Sequence, residues 1–317
     1  MPNYVLPFQK LSKSSVSIAG GKGAQLGEMF NAGIPVPPGF VVLVDSFETF
    51  INENNLSGKI EKMLKTVDIN KTETVDAASK EIRASIAKGK ISTDVENAIL
   101  SQFDSLDAKF VAVRSSATAE DAAAASWAGE LESYMNIQRA NLLDTVKMCW
   151  SSLFTPRAIF YRIEKKLSSQ KVSVAVVVQK MINSEVAGVV FTVHPVTKDA
   201  NQMVIEAAFG LGEAVVGGLV TPDNYVVGKK DLSLSDISVN EQEKMIMKVI
   251  KGKQVGTEEV PVPAENRSKQ KLDGKSIISL AKTCISIEKH YGKPQDIEYA
   301  VEAGKIYIVQ SRPITTI

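Results

Sequence analysis

The most constraining feature of the sequence is a two-residue alternation near its C-terminal end, in the segment PQDIEYAVEAGKIYIVQSRPI. Apolar residues alternate with Asp296 and Glu298 before the Ala303-Gly304-Lys305 segment, and a second β-rich stretch, IYIVQSR, follows it. Such alternation indicates half-buried strands, and Gly304 suits the left-handed position of a three-residue turn. This end of the chain is therefore predicted to form a β-hairpin, whose apolar face the rest of the chain must cover.

Matching like faces selects one register for this hairpin. With the three-residue loop, Glu298 lies opposite Gln310, and Asp296 lies opposite Arg312. A two-residue loop pairs Glu298 with Val309 instead, which sets a charge against an apolar side chain. We therefore predict the three-residue loop, and with it a strand face that carries two carboxylates, an amide and a guanidinium.

That polar face has two interpretations. Carboxylate and amide oxygens suit Mg²⁺, which takes few protein ligands and completes its shell with phosphate oxygens. A guanidinium suits the fork geometry of phosphate. A solvent-exposed strand face with one surface ion pair is, however, an equally common arrangement. On these residues alone both interpretations stay open.

Composition narrows the possible partners and compartments. The 317 residues carry a formal net charge of +1, which gives no reason to expect nucleic acid or a membrane surface as a partner. The longest apolar run, VAVVV, is too short to span a bilayer. Cys149 and Cys284 form no paired motif, and His194 and His290 lack metal-ligand spacing. We expect a cytoplasmic protein with free thiols and structural histidines.

The order of periodic segments predicts an α+β fold. Helical spacing occurs in residues 22–32, 45–104 and 138–168, with a break near Thr155-Pro156. The segments VSVAVVVQKM, EVAGVVFTV and NQMVIEAAF then follow as strands, and residues 229–275 are weakly patterned. A helix-rich first half and a sheet-rich second half predict two lobes, with a ligand cleft between them.

A glycine-rich turn near the N-terminus is a candidate phosphate site. Gly20, Gly21 and Gly23 surround Lys22 just before a helix, where free backbone amides and the helix dipole attract anions. The turn is not a P-loop, because Val16 stands at the first glycine position and Gly23 replaces the Ser or Thr after the lysine. The alternative is a glycine-rich helix entry with a solvated lysine, which these residues alone favour.

A second candidate anion site lies in VAVRSSATAEDAAAASWAGE. Arg114 leaves the end of a strand on the face opposite the flanking valines, and three hydroxyl residues follow it. Thr118 and Asp121 match a capping box, which predicts a helix start beside the arginine. The alanine run and Gly129 predict a flap that closes over phosphates. The alternative is an ordinary helix cap followed by an alanine-rich loop.

Together these motifs resemble a known domain family. The following segments are similar, in order, to the nucleotide-binding domain of phosphoenolpyruvate synthase: GGKGAQLGEM, VPPGFVV, VAVRSSATAED, SWAGELES, LFTPRAIFYR, VVVQKMI, GVVFTVHPVT, EAAFGLGEAVVGGLVTPDNY and HYGKPQDIEYA…YIVQSRPIT. Pyruvate phosphate dikinase and rifampicin phosphotransferase contain the same domain type. The resemblance covers residues 3–315 and implies a single ATP-grasp-like domain, with sub-lobes at about 1–170 and 171–317.

The resemblance also implies roles for individual residues. Those implied to bind ATP are Lys22, Arg114, Thr118, Ser126, Gly129, Gln179, Met181, Glu185 and Arg312. Among them, Lys22, Arg114 and Arg312 are implied to be catalytic through the phosphates. The Ser126 to Gly129 loop is implied to cover the phosphates. The backbone from Gln179 to Met181 is implied to line the adenine pocket, with Glu185 near the ribose. The implied magnesium ligands are Asp296, Glu298 and Gln310.

The activity that the resemblance implies is ATP-dependent phosphoryl transfer to a histidine on a swivelling domain. The full enzyme converts pyruvate, ATP and water to phosphoenolpyruvate, AMP and phosphate. Neither His194 nor His290 has the Thr-Ser-His context of that acceptor, and the chain stops at TTI without the pyruvate-binding barrel. We therefore expect an enzyme that is incomplete as a single chain, with its acceptor on a partner; it is either a split subunit, an excised domain or a degenerate relative. Two alternatives stay open: a non-catalytic ATP-binding regulatory or assembly subunit, and the ATP-binding part of a small-molecule phosphotransferase.

Overall fold

A computed structural model describes residues 3–118, 121–122, 125–126, 132–164, 173–252 and 254–315. The chain forms two compact units. The first comprises residues 1–31 and 38–181, and the second comprises residues 32–37 and 182–317. Each unit contains an antiparallel sheet and helices, so the chain is a mixed α and β protein.

The first unit is built on a five-stranded sheet with the order β1-β2-β7-β3-β6. Its described strands, including a short separate hairpin of β4 and β5, are β1 (Val5–Pro7), β2 (Gly39–Val42), β3 (Val111–Ala117), β4 (Asp121–Ala122), β5 (Ala125–Ser126), β6 (Ser133–Ile137) and β7 (Val174–Lys180). Its described helices are α1 (Val16–Asn31), α2 (Val44–Glu53), α3 (Ser57–Leu64), α4 (Thr72–Lys88), α5 (Thr93–Ser105), α6 (Leu142–Ser151) and α7 (Pro156–Glu164).

Different helices pack on the two faces of this sheet. Val111 and Val113 of β3 pack into the main apolar core together with residues of α2, α4, α5, α6 and α7. Trp150 is fully buried in this core, and its ring centroid lies 4.9 Å from that of Phe50. Helix α1 packs against β3 and β7. Because side chains alternate along a strand, the residues of β3 between the core valines point to the opposite face.

The second unit is built on a six-stranded antiparallel sheet with the order β11-β10-β9-β8-β14-β15. Its described strands, including the separate hairpin of β12 and β13, are β8 (Val186–Phe191), β9 (Gln202–Phe209), β10 (Asp223–Gly228), β11 (Leu234–Ser238), β12 (Lys244–Lys251), β13 (Gln254–Pro261), β14 (Gln295–Glu302) and β15 (Lys305–Pro313). Its described helices are α8 (Glu213–Val216) and α9 (Gly274–Tyr291).

The helices agree with the sequence periodicity, whereas several strands do not. The break predicted near Thr155-Pro156 separates α6 from α7, and Pro156 is the first residue of α7. The weakly patterned residues 229–275 contain β11 and the β12–β13 hairpin, which the sequence analysis missed. Strand β12 is only partly covered on both faces, so it has no clean alternation that would predict a strand. Strand β7, expected with the sheet-rich half, pairs with β2 and β3 in the first sheet.

The terminal hairpin corrects one prediction and confirms another. Glu302 pairs with Lys305, so the turn has two residues and not three. Ala303 and Gly304 take φ of 49° and 73°, the left-handed pair that a tight hairpin turn needs. A bulge after Glu298 then shifts the register by one residue, and the predicted pairs of Glu298 with Gln310 and of Asp296 with Arg312 are present. The extra residue that was predicted in the loop therefore lies in the bulge, at Val309 of β15.

A charged pair is fully buried in the second unit. Lys271 Nζ lies 2.8 Å from Asp223 Oδ1, and both side chains are 0% exposed. The same carboxylate accepts hydrogen bonds from the backbone N–H groups of Lys271 and Asn240, each at 2.9 Å, and from the Tyr225 hydroxyl at 2.7 Å. Burial raises the pKa of the Tyr225 hydroxyl, which therefore stays a donor. The network fastens β10 to the segments that precede β12 and α9.

We expect Lys271→Met to destabilise the protein by about 3–5 kcal/mol, because it leaves the Asp223 carboxylate buried without its counter-ion. Urea denaturation at pH 7 measures this free energy. The matched control is Lys244→Met, which removes an exposed lysine paired with Glu259 and is expected to change stability little. Equal losses in the two variants would contradict the role of the buried pair.

Candidate functional site

The glycine turn of the first unit places Lys22 at a helix start. Helix α1 is interrupted at Gly20, which has φ of 67° and ψ of 173°, so regular helical geometry begins at Gly21. A Cβ on Gly20 would lie 2.3 Å from the carbonyl oxygen and the hydroxyl of Ser116. Both the dihedral angle and the close approach therefore require glycine there. Lys22 follows in the first helical turn, where the helix dipole favours anions.

Ser116 joins this turn to strand β3. Its hydroxyl donates a hydrogen bond to the Ala19 carbonyl at 2.9 Å and accepts one from the Gly23 N–H at 3.2 Å. Arg114 lies two residues earlier on β3, so its side chain leaves on the same face as that of Ser116. The structure thus brings the Lys22 turn and the Arg114 strand together, although they are far apart in the chain.

On the opposite face of β3, Ser115 binds the chain at Glu132. Its N–H and its hydroxyl both donate to the Glu132 carbonyl, at 3.2 Å and 3.1 Å. The Glu132 carboxylate in turn accepts two hydrogen bonds from Arg83, each at 3.0 Å, and contacts the Tyr134 hydroxyl. Arg83 and Glu132 were not singled out in the sequence analysis, because nothing in their local pattern shows that they meet. The strand is therefore fixed on both sides at Arg114.

Thr118 and the segment after it differ from the prediction. The Thr118 N–H and hydroxyl both donate to the Ser173 carbonyl, at 3.1 Å and 3.2 Å, so they extend the pairing of β3 with β7. The predicted capping box is wrong, because Asp121 starts β4 and pairs with Ser126 of β5. Threonine hydroxyls bind local carbonyls as readily as they cap helices. Gly129, expected in the flap, lies outside the described residues.

The expected adenine segment belongs to the first sheet. Gln179 is buried at 2% exposure and pairs with Gly39 and Ala112. The Met181 N–H donates to the Phe110 carbonyl at 3.0 Å, so this amide is already engaged within the first unit.

Glu185, expected near the ribose, lies in the second unit. Its N–H donates to the Val301 carbonyl at 2.8 Å, and its side chain is exposed. Its backbone is therefore fixed against β14, while the carboxylate reaches solvent.

Four predicted residues share one face at the end of the β14–β15 hairpin. Asp296 and Glu298 of β14 lie opposite Arg312 and Gln310 of β15. Arg312 donates to Asp296 Oδ2 through Nε at 2.8 Å and approaches the same oxygen through Nη2 at 2.7 Å. The pairing predicted from the alternation therefore includes a direct ion pair.

Glu206 of β9 belongs to the same face and was missed. Val189 of β8 lies opposite Glu298, and the β8–β9 register sets Val189 beside Glu206. The pKa of the Glu206 carboxyl is raised by burial and by the negative charge of Asp296. Its signal in the sequence is a single charged residue within the otherwise largely apolar segment NQMVIEAAF.

A hydroxyl from β14 fixes the backbone at Glu206. Tyr299 reaches past Gly188 and donates to the Glu206 carbonyl at 2.8 Å. A Cβ on Gly188 would lie 1.8 Å from that carbonyl oxygen, so only glycine permits this close approach. The position of Glu206 on the polar face is therefore set by contacts on the other side of the sheet.

The donor chemistry of this face fits Mg²⁺. Glu298 offers a carboxylate and Gln310 an amide oxygen, and Mg²⁺ accepts such a small set when phosphate and water complete its shell. Within the described ranges, no group of three or more His, Cys, Asp or Glu side chains is arranged to hold a metal ion. A magnesium ion here would therefore combine Glu298 and Gln310 with oxygens of its ligand.

The cysteines and one histidine have structural surroundings. Cys149 and Cys284 are free and buried, and burial raises the pKa of the Cys149 thiol to about 12. The His194 Nδ1 accepts hydrogen bonds from the backbone N–H groups of Val196 and Thr197, each at 3.3 Å. Among the helices that the structure describes, none combines the length and the apolar character needed to cross a membrane.

We expect Ser116→Ala to destabilise the protein by about 1–3 kcal/mol, because it removes two buried hydrogen bonds. Amide hydrogen exchange at Gly23 should become faster, and urea denaturation gives the free energy. The control is Ser115→Ala, which loses bonds on the opposite face and should leave the Gly23 amide protected. An unchanged Gly23 amide in Ser116→Ala would contradict the proposed link.

Glu206→Gln should stabilise the protein at neutral pH. The raised pKa means that the folded state prefers the neutral carboxyl, so wild-type stability falls as pH rises through that pKa. The advantage of glutamine should vanish below the ordinary value of 4.5, where wild type is also neutral. Denaturation between pH 3 and pH 8 tests this. Glu61→Gln should show the opposite sign, since Lys65 lowers the pKa of that carboxyl; a less stable Glu206→Gln at pH 7 would refute the prediction.

Comparison with known proteins places the chain in a family. Residues 16–317 match the family described as pyruvate phosphate dikinase, AMP/ATP-binding domain. A probable phosphoenolpyruvate synthase of Methanocaldococcus jannaschii is 48% identical over 99% of this chain and 27% of its own length. One of Archaeoglobus fulgidus is 46% identical over 99% of this chain and 42% of its own length. A rifampicin phosphotransferase of Bacillus cereus is 39% identical over 100% of this chain and 36% of its own length.

The chain thus spans less than half the length of these three relatives. The family match covers nearly all of its residues, including both the glycine turn and the terminal hairpin. The chain therefore belongs to the pyruvate phosphate dikinase AMP/ATP-binding domain family.

Proposed function

We propose that this chain binds Mg-ATP and donates a phosphoryl group to a histidine on a separate domain or chain, as the ATP-binding module of a phosphoenolpyruvate synthase-like phosphotransferase. The observation that carries the proposal is the Ser116 link, which holds the Lys22 turn against the strand that bears Arg114. Family membership over residues 16–317 supports it independently.

The first unit supplies the phosphate contacts in this proposal. The Lys22 ammonium and the backbone amides of the first turn of α1 form one anion site, and the Arg114 guanidinium on the same face of β3 adds a second cation. The transferring phosphoryl group spreads negative charge over its oxygens, so fixed cations stabilise the transition state. Thr118, with Ser126 and Gly129 of the following segment, would complete the phosphate cover.

The second unit supplies the metal ligands. Glu298 and Gln310 would hold Mg²⁺, with Asp296 as the third candidate, and Arg312 would contact phosphate. When bound, the ion would neutralise charge on the phosphate oxygens.

Nucleoside recognition would use backbone groups between Gln179 and Met181, with Glu185 near the ribose. Because the Met181 N–H is engaged with the Phe110 carbonyl, other groups of this segment would contact the adenine.

The names of the relatives suggest the acceptor. Two are called probable phosphoenolpyruvate synthases, so we propose that a partner chain or domain carries the histidine and the pyruvate site. The overall reaction would then convert pyruvate, ATP and water to phosphoenolpyruvate, AMP and phosphate. The 39% identity to a rifampicin phosphotransferase supports a second candidate, phosphoryl transfer toward a small molecule.

We expect Arg114→Ala, Lys22→Ala and Glu298→Gln each to weaken Mg-ATP binding about 10- to 150-fold. This corresponds to the loss of about 1.5–3 kcal/mol from one charge-assisted contact. Isothermal titration calorimetry with ATP and Mg²⁺ measures the change.

Arg139→Ala is the control, since Arg139 pairs with Asp104 at an exposed position. Arg114→Lys, which keeps the charge but loses the fork, separates a binding loss from a folding loss. Wild-type affinity in Arg114→Ala, Arg114→Lys and Glu298→Gln would refute the assigned roles.

The acceptor is tested by mixing the chain with labelled ATP, Mg²⁺, pyruvate and candidate histidine-domain proteins, and following AMP. AMP formation that depends on a histidine-domain protein, with label on that protein, supports the phosphotransferase. ATP binding without AMP formation with any acceptor, rifampicin included, identifies a non-catalytic subunit instead.

A further inference from the structure

Two side chains beside Arg114 lie on the other face of the first sheet. In the pairing of β3 with β6, Val113 lies opposite Tyr134, and Arg114 lies opposite Ser133. Residues directly opposite each other share a face, and successive residues of a strand alternate between faces. Tyr134 and Glu132 therefore lie on the core face with Val113, and Tyr134 packs against the core. A group that binds Glu132 there is separated from the Arg114 guanidinium by the sheet itself.

Arg83 of α4 binds the Glu132 carboxylate on this core face. Its Nη2 lies 3.0 Å from each carboxylate oxygen, and the Tyr134 hydroxyl contacts one of them. Burial and the Glu132 carboxylate raise the pKa of the Tyr134 hydroxyl, which therefore stays a donor. The side chains of Arg83 and Glu132 are only 31% and 32% exposed, so water screens their attraction less than that of a fully exposed pair. Helix α4 therefore holds the chain where β6 begins.

Strand β6 depends on such an anchor because its pairing is short. It is the edge strand of the first sheet, so it is paired along one side only. Its register against β3 shifts between Val111 and Val113, and Asn136 takes φ of 59° in this bulge. The regular pairing next to Arg114 therefore spans Ser133 and Tyr134. A short edge segment opens locally more easily than a central strand, so a side-chain contact at its start matters more.

The Glu132 carbonyl transmits this position to β3. It accepts hydrogen bonds from the N–H and the hydroxyl of Ser115, at 3.2 Å and 3.1 Å. Ser115 directly follows Arg114, so a movement of Glu132 moves the backbone from which the Arg114 side chain leaves. A guanidinium binds phosphate through a fork of fixed geometry, and a misplacement of about 1 Å is enough to lose much of its effect.

We propose that Arg83 and Glu132 are positioning residues: their ion pair on the core face of the sheet sets the direction in which Arg114 presents its guanidinium to the polyphosphate. Neither of the two side chains contacts the nucleotide. This inference rests on the proposed function, because it takes Arg114 as a phosphate contact. It adds α4 to the elements on which nucleotide affinity depends.

The first test measures the Mg-ATP affinity of the whole chain by isothermal titration calorimetry. We expect Glu132→Gln and Arg83→Gln each to weaken binding about 3- to 10-fold, because β6 loses its anchor while Arg114 is still present. The two variants remove the same ion pair from its two sides, so one serves if the other does not fold.

The matched control for this titration is Arg139→Gln. It breaks another arginine–carboxylate pair of the first unit, in which Arg139 and Asp104 are both 53% exposed. Because this pair is not joined to β3, the variant should keep the affinity within about 2-fold of wild type.

A double-mutant cycle separates positioning from a general structural role. In an Arg114→Ala background, Glu132→Gln should weaken Mg-ATP binding no further, because no guanidinium is left to direct. A direct contact of Arg83 or Glu132 with the nucleotide, or a general loosening of the first unit, would instead give losses that add to that of Arg114→Ala.

A spectroscopic readout follows Arg114 itself. Its Nε–H signal in nitrogen-15 spectra, assigned by its disappearance in Arg114→Ala, should shift in Glu132→Gln and Arg83→Gln but not in Arg139→Gln. Exchange of the Ser115 amide should become faster in the same two variants, since its acceptor is the Glu132 carbonyl.

Wild-type affinity in both Glu132→Gln and Arg83→Gln would overturn the inference, as would additive losses or an unshifted Arg114 signal. In those outcomes wild type still binds Mg-ATP, so the proposed function survives. Absence of Mg-ATP binding by wild type, or wild-type affinity in Arg114→Ala, would instead overturn the nucleotide site or the phosphate role on which the inference rests.

Discussion

The first unit depends on one hydroxyl, that of Ser116, which fills the space where Gly20 has no side chain. Its hydrogen bonds to Ala19 and Gly23 join a turn near the N-terminus to a strand almost a hundred residues later. Gly20 and Ser116 therefore depend on each other, because the serine can approach the turn only where the glycine has no side chain. We expect a larger residue at position 20, or a residue without a hydroxyl at position 116, to weaken the contact between the Lys22 turn and the strand that bears Arg114.

In the second unit, the register of the strands decides which polar side chains lie opposite each other. A two-residue turn and a bulge together decide which residues of β15 face Asp296 and Glu298. On the other side of the sheet, Tyr299 uses the gap at Gly188 to hold the Glu206 carbonyl. In both units, therefore, a glycine permits a close approach and a neighbouring hydroxyl makes use of it.

Much of this arrangement could be predicted from the sequence, because helical spacing and strand alternation report burial directly. The helices of the first unit and the polar pairs of the terminal hairpin were predicted in this way. The turn length was predicted wrongly. Matching polar and apolar faces across the hairpin requires one extra residue, but it does not show whether that residue lies in the loop or in a bulge. The Thr118 cap failed because a hydroxyl can bind either a helix N-terminus or a strand carbonyl. Glu206 and the Arg83–Glu132 pair were missed because their partners come from distant strands and helices.

The buried pair of Asp223 and Lys271 has a consequence for how the second unit moves. Its carboxylate is bonded to groups from three separate stretches of chain: the start of β10, the segment at Asn240 and the segment before α9. None of these stretches can detach alone without stranding a charge in a non-aqueous interior. We therefore expect local fraying to be suppressed there, and amide exchange in all three stretches to require a shared, larger opening of the unit.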